Sequence, residues 1–130
     1  MDLADQGDAF AAFWRERHVC TLSTARPGGG PPHVVPVGAT LDVAAGVARV
    51  ITSGTSAKAR LIAACDGAPV ALCQVDGRRW STLEGRAVVR TEPEQIADAE
   101  LRYAARYKPP RLNPARVVIE IHVSRVLGNV

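Results

Sequence analysis

The sequence predicts one mainly β domain with inserted helices, built as a six-stranded antiparallel barrel over residues 1–130. Three observations predict it. Six short runs are dense in β-branched residues or alternate apolar with polar positions. Gly-, Pro- and Asp-rich turns join most neighbouring runs at hairpin distance. The helical stretches are inserted between strands rather than alternating with them, which argues against a doubly wound parallel sheet.

The elements follow in order. Residues 6–17 read as a helix whose apolar face is Phe10, Phe13 and Trp14. His18 to Thr24 alternates into a first strand, with Cys20, Leu22 and Thr24 on one face and Val19, Thr21 and Ser23 on the other. Arg26-Pro27-Gly28-Gly29-Gly30-Pro31 is a turn. A phosphate cradle there would need a helix directly after the glycines, and prolines and a β-rich run follow instead. Pro32 to Leu41 is the second strand, Asp42 to Gly46 a hairpin turn, and Val47 to Ser53 the third strand. Ser56 to Cys65 reads as a short helix capped by Ser56. Pro69 to Val75 and Trp80 to Arg90 are the fourth and fifth strands, with Gly85 marking a bulge or bend. Thr91 and Glu94 have capping-box spacing ahead of a helix over 92–107, whose buried stripe is Ile96, Ala99, Tyr103 and Tyr107. Arg116 to Leu127 is the last strand.

Composition narrows the function. A net charge of +3 is too small for a nucleic-acid binder, which carries a dense basic stripe, but it suits a small anionic ligand. No apolar run approaches the ~20 residues of a membrane span, and the acidic N-terminus is unlike a secretory leader. Three cysteines, without a C-x-x-C pair, fit neither a disulfide scaffold nor a zinc site and point to a reducing cytoplasmic setting. His18, His33 and His122 lack metal-ligand spacing, so no metal is expected. No hydrolase or nucleotide-loop motif is present, and no catalytic side chain is identified. Cys73, mid-strand, reads as a small core residue.

The informative stretch is Val50 to Arg60. It runs from a strand through Thr52, Ser53, Gly54, Thr55 and Ser56 into a helix carrying Lys58 and Arg60. Backbone N–H groups at a helix start, hydroxyl donors and two cations suit a phosphate. A polar strand-to-helix connection with solvated cations has the same residues, and the chemistry alone leaves both readings open.

The stretch resembles the phosphate-binding segment of the pyridoxamine 5′-phosphate oxidase-like, FMN-binding split β-barrel superfamily, with its Ser-x-Lys element at Ser56-Ala57-Lys58. More narrowly the chain is similar to the actinobacterial flavin/deazaflavin oxidoreductase B group, and within it to coenzyme F-420-dependent biliverdin reductases. Pro32 to Gly38, Leu72 to Gly77 with Trp80, Leu83 to Ala87, Asp98 to Ala104 and Arg116 to Glu120 carry the likeness along nearly the whole chain.

The resemblance implies a split barrel working as a homodimer, with the cofactor at the subunit interface. It implies coenzyme F-420, a deazaflavin, as hydride donor to a small unsaturated acceptor such as biliverdin; FMN is the alternative cofactor. Ser56, Lys58 and Arg60 would hold the cofactor phosphate, with Thr52 and Ser53 beside it. Pro36, Val37 and Ile51 would line the ring edge, and Gln74 and Trp80 would come from the partner subunit. An FMN oxidase or reductase on the same scaffold, and a non-catalytic flavin or tetrapyrrole carrier, are the other two classes. Arg102, Arg106, Lys108 and Arg111 form a further cationic region. It reads either as a receiver of anionic ligand ends or as a solvated helix face with Asp98 paired to Arg102.

Overall fold

A computed structural model describes all residues, 1–130. After a 3₁₀ turn at Leu3–Gln6 come α1 (Asp8–Phe13), β1 (Cys20–Thr24), β2 (His33–Val37), β3 (Ala39–Asp42) and β4 (Val47–Ser53). Then follow α2 (Ala57–Ala63), β5 (Ala68–Asp76), β6 (Arg79–Arg90), α3 (Pro93–Arg106) and β7 (Arg116–Gly128). The seven strands form one sheet in the order β2-β1-β5-β6-β7-β4-β3, with every pairing antiparallel.

The two border strands, β2 and β3, are consecutive in the chain and separated only by Gly38. A sheet whose opposite borders lie one residue apart must curl until they meet at that corner. No ladder joins them, so the barrel stays split along that line. This corrects the expected strand count. The run Pro32 to Leu41 is two strands because the chain leaves one border at Gly38 and enters the other. The absent side chain matters there: a Cβ on Gly38 would stand 2.8 Å from Cε2 of Tyr103 and 3.3 Å from Tyr107.

Alternation fills the interior. Cys20, Leu22 and Thr24 of β1 point inward, as do Val70, Leu72 and Gln74 of β5. Phe10, Phe13 and Ile62 close over them with no exposed surface. The first helix is shorter than expected because Gly7, at φ 91°, separates α1 from the 3₁₀ turn, yet Phe10, Phe13 and Trp14 are buried as a set. In β6 the register shifts between Glu84 and Gly85. A Cβ on Gly85 would fall 2.1 Å from the His122 carbonyl oxygen, so this bulge requires glycine.

The capping box does not form. Glu92 occupies the cap of α3 without a side-chain bond to the helix, and Pro93 takes the first helical position. Proline is favoured there because its missing N–H is one the helix could not use. It moves the cap of α3 one residue on, from Thr91 to Glu92.

The C-terminal end of α3 clasps the barrel seam. The Tyr107 hydroxyl donates to the His18 carbonyl at 2.7 Å and accepts from the Ala39 amide at 3.1 Å. Arg106 donates to the carbonyls of Glu16 and Ala39 and to Gln74 Oε1. One helix end thus ties the segment leading into β1 to β3 and β5.

Candidate functional site

Directly beyond that clasp the chain forms the loop Lys108 to Arg111, one wall of a cleft of about 480 Å³. Pro36, Val37 and Gly38 form the opposite wall at the end of β2. Ile51 enters from β4, Lys58 from α2 and Tyr103 from α3. The volume lies within the roughly 300–1,000 Å³ range of small-ligand sites.

Four cations line this space: Lys58, Lys108, Arg111 and Arg116. One carboxylate answers them, Glu100, which accepts from Arg116 Nη1 at 2.7 Å. The same Nη1 donates to the Arg111 carbonyl at 2.8 Å and so fixes the loop. The Arg116 side chain is only 11% exposed, and its buried Nε has no partner. Burial pushes the Lys58 ammonium below its ordinary pKa, with no anion beside it to offset the loss of water. A half-buried ammonium with no anion beside it, together with Lys108 and Arg111, leaves the cleft short of negative charge. A phosphate or carboxylate placed there would supply it.

The hydroxyl residues of the preceding turn shape this site rather than line it. Ser56 Oγ accepts from the Ala59 amide at 3.2 Å, capping α2, and from Thr52 Oγ1 at 3.1 Å. Ser53 Oγ accepts from Asn113 Nδ2 at 2.9 Å, which ties the far end of the proline loop to β4. Capping sets the direction of α2, and this places Lys58, its second residue, in the cleft.

Of the residues named from sequence, Pro36, Val37, Ile51 and Lys58 therefore meet in one cleft. Thr52, Ser53 and Ser56 stand behind it, and Arg60 is exposed on α2 outside it. Gln74 lies elsewhere: it is fully buried inside the barrel, where Nε2 donates to the Phe13 carbonyl at 2.8 Å and Oε1 accepts from Arg106. Its amide is engaged within its own chain. Trp80 sits 40% exposed on β6, opposite Val75. The cationic region divides in two. Arg102 pairs with Asp98 at 2.9 Å and Asp42 at 3.4 Å, and Arg106 belongs to the clasp, while Lys108 and Arg111 reach the cleft.

Sequence reasoning missed Tyr103 and Arg116 as site residues. The register that pairs Ser53 with Arg116 was the available signal, since it sets a cation beside the polar turn. Glu16, His18 and Asp76 also gather, with ligand atoms within 4.8 Å of one another. Arg79 lies on them, donating to Glu16 at 2.8 and 2.9 Å and also to Asp76, so an ion network occupies that place. Arg79, followed by His18, holds the Glu16 carboxyl down at about 2.

A curled antiparallel sheet with an anion-seeking cleft beside a Ser-x-Lys helix start defines a flavin-type split barrel. Residues 7–129 match the pyridoxamine 5′-phosphate oxidase family, and the chain belongs to it. It is 51% identical over 122 residues to an F-420H(2)-dependent biliverdin reductase of Mycobacterium tuberculosis, a match covering 94% of this chain and 87% of that protein. Among solved structures, a conserved protein of Mycobacterium tuberculosis superposes with a TM-score of 0.77 at 24% identity, covering 92% of this chain and 81% of that one. An F-420 reductase superposes at 0.73 with 22% identity, covering 93% and 98%. These two likenesses show the fold.

Proposed function

We propose that the chain is a coenzyme F-420-dependent reductase whose acceptor is biliverdin or a similar open-chain tetrapyrrole. The observation that carries this reading is the unanswered positive charge of the cleft, at Lys58, Lys108 and Arg111, in a chain half identical to a reductase of that name. The residues suit a phosphorylated tricyclic cofactor. Lys58 would take the phosphate, Pro36, Val37 and Ile51 would present a flat apolar wall to the ring, and Lys108 and Arg111 would face the remaining anionic groups.

When bound, reduced deazaflavin supplies a hydride to an unsaturated carbon of the acceptor, and a proton completes the reduction. The chain's own part is to bind, orient and keep water away. Holding donor and acceptor in contact replaces a bimolecular encounter and needs no protein nucleophile.

A homodimer completes the reading. The outer face of β2, β1, β5 and β6 carries Val34, Thr21, Cys73, Val75 and Trp80, small or apolar side chains on a sheet already packed on its inner face. A second copy would cover it, and Trp80 would be the residue it lends. The proposed compartment is the cytoplasm, in keeping with three unpaired thiols; no helix is long and apolar enough to cross a membrane.

Parallel titrations of the purified protein with F-420 and with FMN test the cofactor, and turnover of reduced F-420 with biliverdin tests the reaction. F-420 is expected to bind at least about tenfold more tightly, a difference of about 1.4 kcal/mol. Tighter FMN binding would transfer the site to a flavin enzyme, and binding without turnover would make the chain a carrier.

A further inference from the structure

A reductase must hold two ligands in contact. On the far side of the Lys108–Arg111 loop lies a second groove of about 660 Å³. Its floor is a stripe of α3, Ala97, Leu101 and Ala104, spaced as one helix face. That stripe is separate from the one that faces the barrel through Ala99, the only fully buried residue of α3. Its other wall is Pro109, Pro110 and Leu112, and Glu100, paired with Arg116, also lines it. Leu101 is 72% exposed and Leu112 98% exposed, so two large apolar side chains stand in water facing one concavity. Pro109, Pro110 and Arg111 border both spaces and form the ridge between them.

We propose that this groove is the acceptor subsite, and that it takes the apolar body of an extended dicarboxylate such as an open-chain tetrapyrrole. The inference rests on the reductase reading above. One end of the acceptor enters the cofactor cleft, the middle crosses the proline ridge, and the remainder lies on Leu101 and Leu112. Continuity across the shared ridge supports this occupant, because Pro109, Pro110 and Arg111 line both spaces. The groove holds one carboxylate, Glu100, already engaged by Arg116, and one cation, Arg111, exposed on the ridge where a passing propionate would meet it. Proline adds rigidity, so the ridge keeps its shape with either space filled.

The test uses the full chain and biliverdin as probe. Leu101→Glu and Leu112→Glu each place a charge that must stay hydrated against an apolar, dianionic ligand, and each should raise the dissociation constant for biliverdin about tenfold or more. Leu101→Met should stay within about twofold of the parent, because volume and polarity are kept. Neither leucine lines the cofactor cleft, so F-420 affinity should not change. Equal biliverdin affinity in parent and Glu variants would overturn the subsite, as would failure of the parent to bind biliverdin at all. A change in elution volume for Leu101→Glu would also overturn it, by making the groove a subunit contact. If the parent binds biliverdin through these leucines but ignores F-420, the subsite stands and the reductase reading falls.

Discussion

Arg106 and Lys58 carry the same charge within one small barrel, yet their surroundings are opposite. Arg106 ends α3 with its guanidinium placed on two backbone carbonyls and the Gln74 amide oxygen, over the ring of Tyr107 at 5.2 Å. Lys58 is half-buried and has no ion pair or hydrogen-bond partner of its own. The first is a finished network, and its satisfaction rigidifies the seam. The second is an unfinished one, and its deficit is an invitation to an anion. Proteins place saturated cations where shape must be held and unsaturated ones where something else must arrive.

Substitutions should separate the two roles. Arg106→Met removes the clasp from three acceptors at once, and we expect a loss of about 3 kcal/mol of unfolding free energy, read by urea denaturation. A loss comparable to an ordinary surface change would mean that the seam is held elsewhere. Lys58→Ala should weaken F-420 binding by about 1–3 kcal/mol, measured by titration, because a charge-assisted contact disappears. Its stability should shift by no more than about 0.5 kcal/mol, since the lysine makes no internal contact to lose. If Lys58→Ala unfolds the protein and Arg106→Met only weakens binding, the contrast is reversed.

The smallest expected effect is a pH dependence at the Glu16–Arg79 ion pair, which adjoins the clasp, since Arg106 also donates to the Glu16 carbonyl. Glu16 titrates at about 2 when folded against an ordinary 4.5, so the ionised form is favoured by the native state. Its contribution is complete above the ordinary value and disappears as the pH falls from there toward about 2. The thermal midpoint should therefore decline over that interval, and Glu16→Gln should flatten the decline. With the Glu16 side chain 39% exposed, solvent screening keeps the effect modest.

Much of this was legible in the sequence where a residue's local chemistry decides its structure. Ser56 reads as a cap and is one; Asp42 reads as a turn opener, and its carboxylate accepts from Ala45 N at 3.1 Å. Gly85 reads as a bulge because an apolar strand gives no other reason for it, and the register shifts there. Gly38 was equally visible but sits in a run that alternates smoothly on both sides. Its meaning depends on two tyrosines some 65 residues later, which no local pattern conveys. Gln74 sits where two signals differ. Its phase with Val70 and Leu72 set it inside the barrel, but family likeness directed attention to a neighbouring subunit. The cleft's cations were half legible: Lys58 follows a recognisable turn, whereas Arg116 depends on which strand β7 pairs with.

Pro36 belongs to a border strand of only five residues, and the opposite border, β3, has only four. Free sheet margins are where foreign strands attach and fibrils begin, and brevity together with a missing donor is a common deterrent. The same imino acid that gives the cleft a flat, water-shedding wall thus interrupts the hydrogen-bonding pattern a stray peptide would need to copy. Replacing it with valine would risk more than the ligand's fit, because it would restore a template for self-association at the place where the barrel is left open.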